Sequence, residues 1–181
     1  MNLKEHLRNR YFDYSRYSGI YIDEVNTSVV LPLWNLSGQM VGYQQYSPLN
    51  PKTHIDNPRE AKYFTWVTKP AASKNAELAV WGLETLDYTR PLYLTEGVFD
   101  ACRLHWNGFP AIAALSNNPE HLRSWFSLLP MRIISCVQGD TAGKELAKYG
   151  DEAIYLPAGK DVGDLTEEEF ELNFAKYDDR K

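Results

Sequence analysis

Cysteine, long apolar runs and surplus positive charge are all scarce in this sequence. Only two of its 181 residues are cysteine, Cys102 and Cys136. A structural zinc site takes about four Cys/His ligands at close paired spacings, so no zinc ribbon is encoded here. Both thiols read as small buried hydrophobes, Cys102 on a helix and Cys136 in a strand. No window approaches the ~20 apolar residues of a membrane-spanning helix. Residues Met1 to His6 lack the charged-then-apolar order of a secretory signal. The expectations are therefore a cytoplasmic location and no membrane partner. A formal net charge of −5 excludes a generally basic, nucleic-acid-coated surface. A Walker A loop is also missing: Gly139 to Glu145 contains Gly143-Lys144 but not the GxxxxGK[ST] spacing, and Lys144 reads as helix surface. There is no internal repeat and no low-complexity segment.

What is present suffices for one sizeable core, or for a main domain with a smaller appended one, since 44% of residues are hydrophobic and 13% aromatic. The charge is unevenly spread. Residues 1–90 carry ten Lys/Arg against nine Asp/Glu, a balance of +1, and residues 91–181 carry nine against fifteen, a balance of −6. An acidic half can hold metal, while the other half can meet a polyanion.

The first half reads as a small mixed α+β unit. Leu3 to Tyr14 is a short helix followed by a loop around Gly19. Ser28 to Trp34 and Met40 to Tyr46 form a hairpin around the turn cluster Asn35 to Gln39. Residues 47–60 are a loop, Tyr63 to Val67 a third strand, and Leu78 to Leu86 a short helix. From Pro91 strands and helices alternate: strand Leu92 to Thr95, helix Val98 to Trp106, strand Ala111 to Leu115, a helix opened by Asn118-Pro119 and running to about Leu129, strand Arg132 to Val137, helix Thr141 to Tyr149, and strand Ala153 to Leu156. Thr166 and Glu169 fit a capping box before a last helix that runs to about Tyr177. Such alternation implies an α/β fold, a parallel sheet with right-handed crossovers. The expected domains are 1–88 and 89–181.

In open parallel sheets, functional groups collect outside the carboxyl ends of the strands. Three acidic groups fall there: Glu96 with Asp100; Asp140; and Asp161 with Asp164. Taken singly, each has a structural explanation. Asp100 suits a helix N-terminus, Asp140 can cap the next helix, and Asp161 and Asp164 can be ordinary loop acids. Their coincidence at successive strand ends favours a divalent-metal site, because converging carboxylates repel one another unless a cation joins them. Magnesium takes one or two carboxylates, waters and substrate phosphates. Gly97, Gly139 and Gly143 allow backbone and phosphate to approach closely.

Glu96-Gly97 with Asp100-Ala101, then Asp140-Thr141-Ala142-Gly143, then Leu156 to Asp161 resemble, in order, the acidic motifs of the Toprim domain found in bacterial-type primases, topoisomerases, small nucleases and recombination proteins. The preceding segments Val29 to Asn35, Gly38, Val41-Gly42-Tyr43, Ala61-Lys62-Tyr63 and Trp81-Gly82-Leu83 are similar in order to the catalytic core of bacterial and phage DnaG-type primases. The resemblance covers roughly residues 28–165; residues 1–27 fall outside it. It implies a Toprim-like parallel sheet with helices on both faces, preceded by the small α+β subdomain. It also implies Mg²⁺ (or Mn²⁺) held by Glu96, Asp140, Asp161 and Gln138, with Glu96, Asp100 and Asp140 as the catalytic set. Lys62 matches the lysine that precedes tyrosine in such cores. Two positions depart from the pattern. Gln138 replaces the first aspartate of the Asp-x-Asp motif, supplying an amide oxygen but no charge, which predicts weaker metal binding. Tyr46 stands where primases often carry arginine. Neither the zinc-binding nor the helicase module that accompanies such cores lies within the 181 residues.

Around the third strand, Lys52, Arg59, Lys62, Lys69 and Lys74 interleave with Tyr63, Phe64 and Trp66. Cations suit phosphates and aromatic faces suit unstacked bases; a solvated loop beside core aromatics is the alternative. Lys62, Lys52, Lys69, Tyr63 and Trp66 are the candidate nucleic-acid or nucleotide contacts. The expected function is primase-like: Mg²⁺-dependent nucleotidyl transfer on single-stranded DNA from nucleoside triphosphates, with a replication or transcription protein as a further partner. The alternatives are a Toprim nuclease, or a binding module that has lost catalysis.

Overall fold

A computed structural model describes residues 1–52, 56–69, 78–139 and 143–177. The chain forms two compact units, residues 1–9 with 13–81, and residues 10–12 with 82–181. The division thus falls after Trp81, and a three-residue piece near the N-terminus joins the second unit.

The first unit is built on an antiparallel sheet in the order β1-β2-β3-β4. Its strands are β1 (Tyr21–Asp23), β2 (Ser28–Trp34), β3 (Met40–Tyr46) and β4 (Tyr63–Val67). The hairpin spans coincide with those expected. Its turn is fixed by the Asn35 side-chain oxygen, which accepts from the N–H groups of Ser37 and Gln39 at 3.0 Å each. One face holds the core residues Val29, Leu31, Leu33 and Tyr46, none more than 1% exposed. β1 is too short to carry an alternating pattern and was not anticipated. At Gly42, an added Cβ would lie 2.3 Å from the Trp66 carbonyl oxygen, so only glycine lets β3 and β4 pair at this register.

Two expected helices are shorter or absent, for local reasons. α1 spans Leu3–Arg8 and cannot run on to Tyr14, because Tyr11 takes a left-handed backbone with φ 59°. The segment from Leu78 is not helical: Val80 bridges to Trp34, and Gly82, at φ 86°, opens a single 3₁₀ turn over Leu83–Thr85.

The second unit carries a four-stranded parallel sheet in the order β6-β5-β7-β8. The strands are β5 (Leu92–Thr95), β6 (Ala111–Ala113), β7 (Ile133–Val137) and β8 (Glu152–Tyr155). Every residue of β5, β6 and β7 is buried, as in strands covered on both faces. The flanking helices are α2 (Val98–Trp106), α3 (Arg123–Phe126), α4 (Gly143–Ala147) and α5 (Glu167–Phe174). The Thr166/Glu169 capping box is formed. The expected helix from Asn118 to Leu129 is only a 3₁₀ turn followed by the four-residue α3. Cys102 and Cys136 are both buried. Among the described residues no helix is long and apolar enough to cross a membrane.

α2 also fastens residues 10–12 to this unit. The Arg103 side chain is fully buried, with its guanidinium carbon 3.7 Å from the centre of the Tyr11 ring and 5.1 Å from that of Phe170. Its Nη2 lies 3.0 Å from Glu167 Oε1, yet among the described residues no guanidinium nitrogen has a partner of hydrogen-bond geometry. The contact is therefore an ion pair by distance only, and the aromatic stacking is the better-formed interaction. Phe12 packs edge-on to Phe99 at 6.2 Å. Because stacking area dominates here, Arg103→Met, which keeps an apolar stem between the rings, should retain most of the stability. Arg103→Ala should lose about 3 kcal/mol. Urea unfolding measures both, and equal losses would mean that the charge rather than the stack holds the segment.

Candidate functional site

The connection after β5 runs through α2 to β6 on one side, and the connection after β7 runs through α4 to β8 on the other. The carboxyl ends of β5 and β7 therefore flank the point at which the winding direction reverses, where α/β sheets place their ligand crevice. Glu96 is exposed just after β5, and Gln138, partly exposed, directly follows β7. The Glu96 backbone is fixed by Leu115, which donates its N–H to the Glu96 carbonyl at 2.9 Å. Leu115 itself is held at φ 60°, a strained conformation of the kind that clusters at functional sites.

Asp100 sits in the first turn of α2, with Gly97 as the N-cap. Its carboxyl folds back over the helix start, so that a Cβ on Gly97 would fall 2.9 Å from Asp100 Oδ2. Asp100 Oδ1 accepts from the Gly163 N–H at 3.0 Å. This bond ties α2 to the loop after β8, and the same loop presents Asp161. Asp161 in turn caps the 3₁₀ turn Val162–Asp164, accepting from Asp164 N–H at 3.1 Å. Burial pushes the Asp100 carboxyl well above the usual carboxylate range. The facing Asp161 charge and a hydrogen bond between the two side chains push it the same way; the Gly163 N–H and the Arg10 guanidinium pull it down. Beneath them, burial, with the Asp100 charge adding to it, raises the Cys136 thiol, which stays protonated. Lys160 is committed to Glu169, at 2.6 and 2.7 Å.

The fold thus brings Asp100 and Asp161 together beside Gly163, where an added Cβ would lie 3.5 Å from Asp100 Oδ1 and 3.3 Å from Asp161 Oδ1, with Glu96 four residues before Asp100. Among the described residues no group of three or more His, Cys, Asp or Glu side chains forms a ready-made metal cage. Asp140 and Lys74 lie outside the described residues. Two oxygen-donor carboxylates held against each other still suit magnesium, which completes its shell with water and phosphate rather than protein. Arg10 escaped sequence reasoning, because no motif surrounds it; it reaches this cluster through the residues 10–12 segment, where its guanidinium carbon lies 3.9 Å from the centre of the Phe99 ring.

The candidate nucleic-acid contacts do not form one surface. Lys52 and Lys69 are exposed, Lys69 just beyond β4. Lys62 directly precedes β4, its Nζ 5.9 Å from the centre of the Tyr46 ring. Tyr63 pairs with Tyr46 in register, their rings 5.0 Å apart. Trp66 points to the opposite face of β4, stacked on Tyr43 at 5.8 Å.

No family model matches this sequence, and no curated protein does. Solved structures do. The primase fragment of the bacteriophage T7 primase-helicase protein aligns with a TM-score of 0.63 at 14% identity, covering 96% of this chain and 70% of that one. A DnaG primase catalytic domain bound to ssDNA aligns at 0.61 and 20% identity, over 96% of this chain and 57% of that one. The E. coli primase catalytic core aligns at 0.60 and 18%, over 96% and 59%. The chain spans between 42% and 59% of the bacterial primase chains it matches. Its fold is that of a DnaG-type primase catalytic core, an α/β parallel sheet flanked by helices and preceded by a small antiparallel unit.

An acid whose folded pKa is raised binds its proton more tightly when folded. Its contribution to stability is full below its unfolded value of 3.8 and is lost as pH rises through the raised folded value. Without divalent metal, the wild type should therefore lose stability as pH rises above 3.8 more steeply than Asp100→Asn, by at most about 1.4 kcal/mol per pH unit. Denaturant midpoints across that range check this, and parallel slopes would show that Asp100 does not hold its proton above the usual carboxylate range.

Proposed function

We propose that this chain performs Mg²⁺-dependent (or Mn²⁺-dependent) nucleotidyl transfer on single-stranded nucleic acid, in the manner of a primase core. The observation that carries the reading is the Asp100–Asp161 pair, joined through Gly163, at the point of sheet reversal in a primase-core fold. Glu96, Asp100 and Asp161 would hold the metal, with Gln138 lending an amide oxygen and Asp140 a further carboxylate. When bound, a divalent cation would neutralise charge on a triphosphate and orient its leaving group.

The chain's own residues have separable tasks in this reading. Asp100, whose carboxyl burial and the facing Asp161 charge hold above the usual carboxylate range, would give up its proton when a cation binds, so metal uptake would be coupled to pH. Glu96, exposed just after β5, would accept the proton of an attacking hydroxyl. Lys62 supplies a cation for template or nucleotide phosphate, and Lys52 and Lys69 add exposed positive charge to the first unit. Gln138 lowers the negative charge of the site compared with an aspartate, so metal affinity is set below that of an Asp-x-Asp pattern.

Incubation of the protein with ribonucleoside triphosphates, single-stranded templates of varied sequence and Mg²⁺ or Mn²⁺ should yield short oligonucleotides. Glu96→Gln should reduce that yield about 100-fold or more, the scale of a lost general base. Gln138→Asp should tighten metal binding in calorimetry and lower the Mg²⁺ concentration needed for half-maximal yield. If no metal-dependent product forms on any template, the catalytic reading fails.

A further inference from the structure

The sheet of the first unit has a second face, covered at Pro32, where the Gly19 loop approaches, and at Val41, but open along β4. Strand alternation and the observed register place Tyr43, Gln45, Phe64 and Trp66 together on it, with Tyr21 on the outer strand β1. Trp66 is 46% exposed and Tyr21 62%. Tyr43 and Phe64 are partly exposed. The rings form a continuous run: Tyr43 stacks on Trp66 at 5.8 Å with 29° between planes, and its centroid lies 6.1 Å from that of Phe64. The Arg59 guanidinium carbon lies 5.9 Å from the centre of the Phe64 ring.

We infer that this outer face is a stacking platform for the unpaired bases of single-stranded nucleic acid. Exposed aromatic area of this kind normally marks a binding surface, and three features select the occupant. The rings lie together on a four-stranded antiparallel sheet, a setting that takes bases in sequence-tolerant stacks. Neither β3 nor β4 contains an aspartate or glutamate; Asp23 shares the face on β1, two strands from β3, Glu60 lies next to Arg59, and exposed Arg59 and Lys69 stand before and after β4, so cations reach the rings from both ends of β4. The amide of Gln45, beside Phe64, can both donate to and accept from a base edge. The platform rests on the single-strand reading of the function, but it involves neither the carboxylates nor Lys62, and Trp66 and Lys69 are the candidate contacts it shares.

Fluorescence anisotropy with labelled oligo-dT and oligo-U, using the whole chain in EDTA, reads this face apart from metal binding. Trp66→Ala and Tyr43→Ala should each weaken binding about five-fold or more, while Trp66→Phe should stay within about two-fold of wild type. Arg59→Gln should weaken binding and reduce the salt slope by about one. Duplex DNA of equal length should compete poorly. The platform is overturned if the natively folded Tyr43→Ala/Trp66→Ala double variant binds as wild type does. It is equally overturned if duplex competes as well as single strand, or if the wild type binds neither oligonucleotide. Intact, ring-dependent binding without any metal-dependent product would sink the catalytic proposal and leave the platform standing; product formation with ring-independent binding would do the reverse.

Discussion

Two carboxyl groups that repel each other are held in contact at the end of a buried sheet, and much of the second unit is arranged around that constraint. Burial and the facing Asp161 both disfavour charge on Asp100. A backbone N–H from Gly163 partly offsets this, as does the guanidinium of Arg10. Gly97 leaves room for the Asp100 carboxyl, because a side chain there would meet its oxygen at 2.9 Å. The apolar strands β5 and β7, buried at every position, provide the rigid floor from which both the helix and the loop project. A pair of this kind is poorly compensated when both groups are ionised.

The same constraint explains why the N-terminal residues matter to a site they do not adjoin in sequence. Residues 10–12 belong to the second unit. The strained backbone of Tyr11 is maintained because its ring stacks on the buried Arg103, and that packing sets Arg10 against Phe99, next to Asp100. A cation thus stands beside the acids without lying in any of the three acidic motifs. Gln138, at the end of β7, offers an amide oxygen without adding negative charge.

Much of this was legible in the sequence. The strands of the second unit follow from apolar runs bounded by turn residues, and the hairpin from β-branched alternation around Asn35 to Gln39. The capping box at Thr166 was readable from two residues. Glu96, Asp100 and Asp161 were identifiable as strand-end acids, but their partnership depends on a bond from a loop sixty-three residues later, which spacing cannot reveal. Arg10 was invisible for the same reason. Tyr63 and Trp66 looked alike in sequence; only the pleat of β4 separates them onto different faces. The helices lost at Tyr11 and Gly82 were misread because apolar periodicity carries no information about a left-handed backbone.

The central claim is that the strand-end carboxylates form a divalent-metal site serving a triphosphate. A crystal structure with Mn²⁺ and a non-hydrolysable ribonucleoside triphosphate, using the anomalous signal of manganese, tests it most directly. We expect an anomalous peak bonded to Glu96, Asp100 or Asp161 and to a triphosphate oxygen, with the Asp100–Asp161 hydrogen bond broken. An ordered triphosphate elsewhere, or a metal that leaves the two carboxyls bonded to each other, would contradict it.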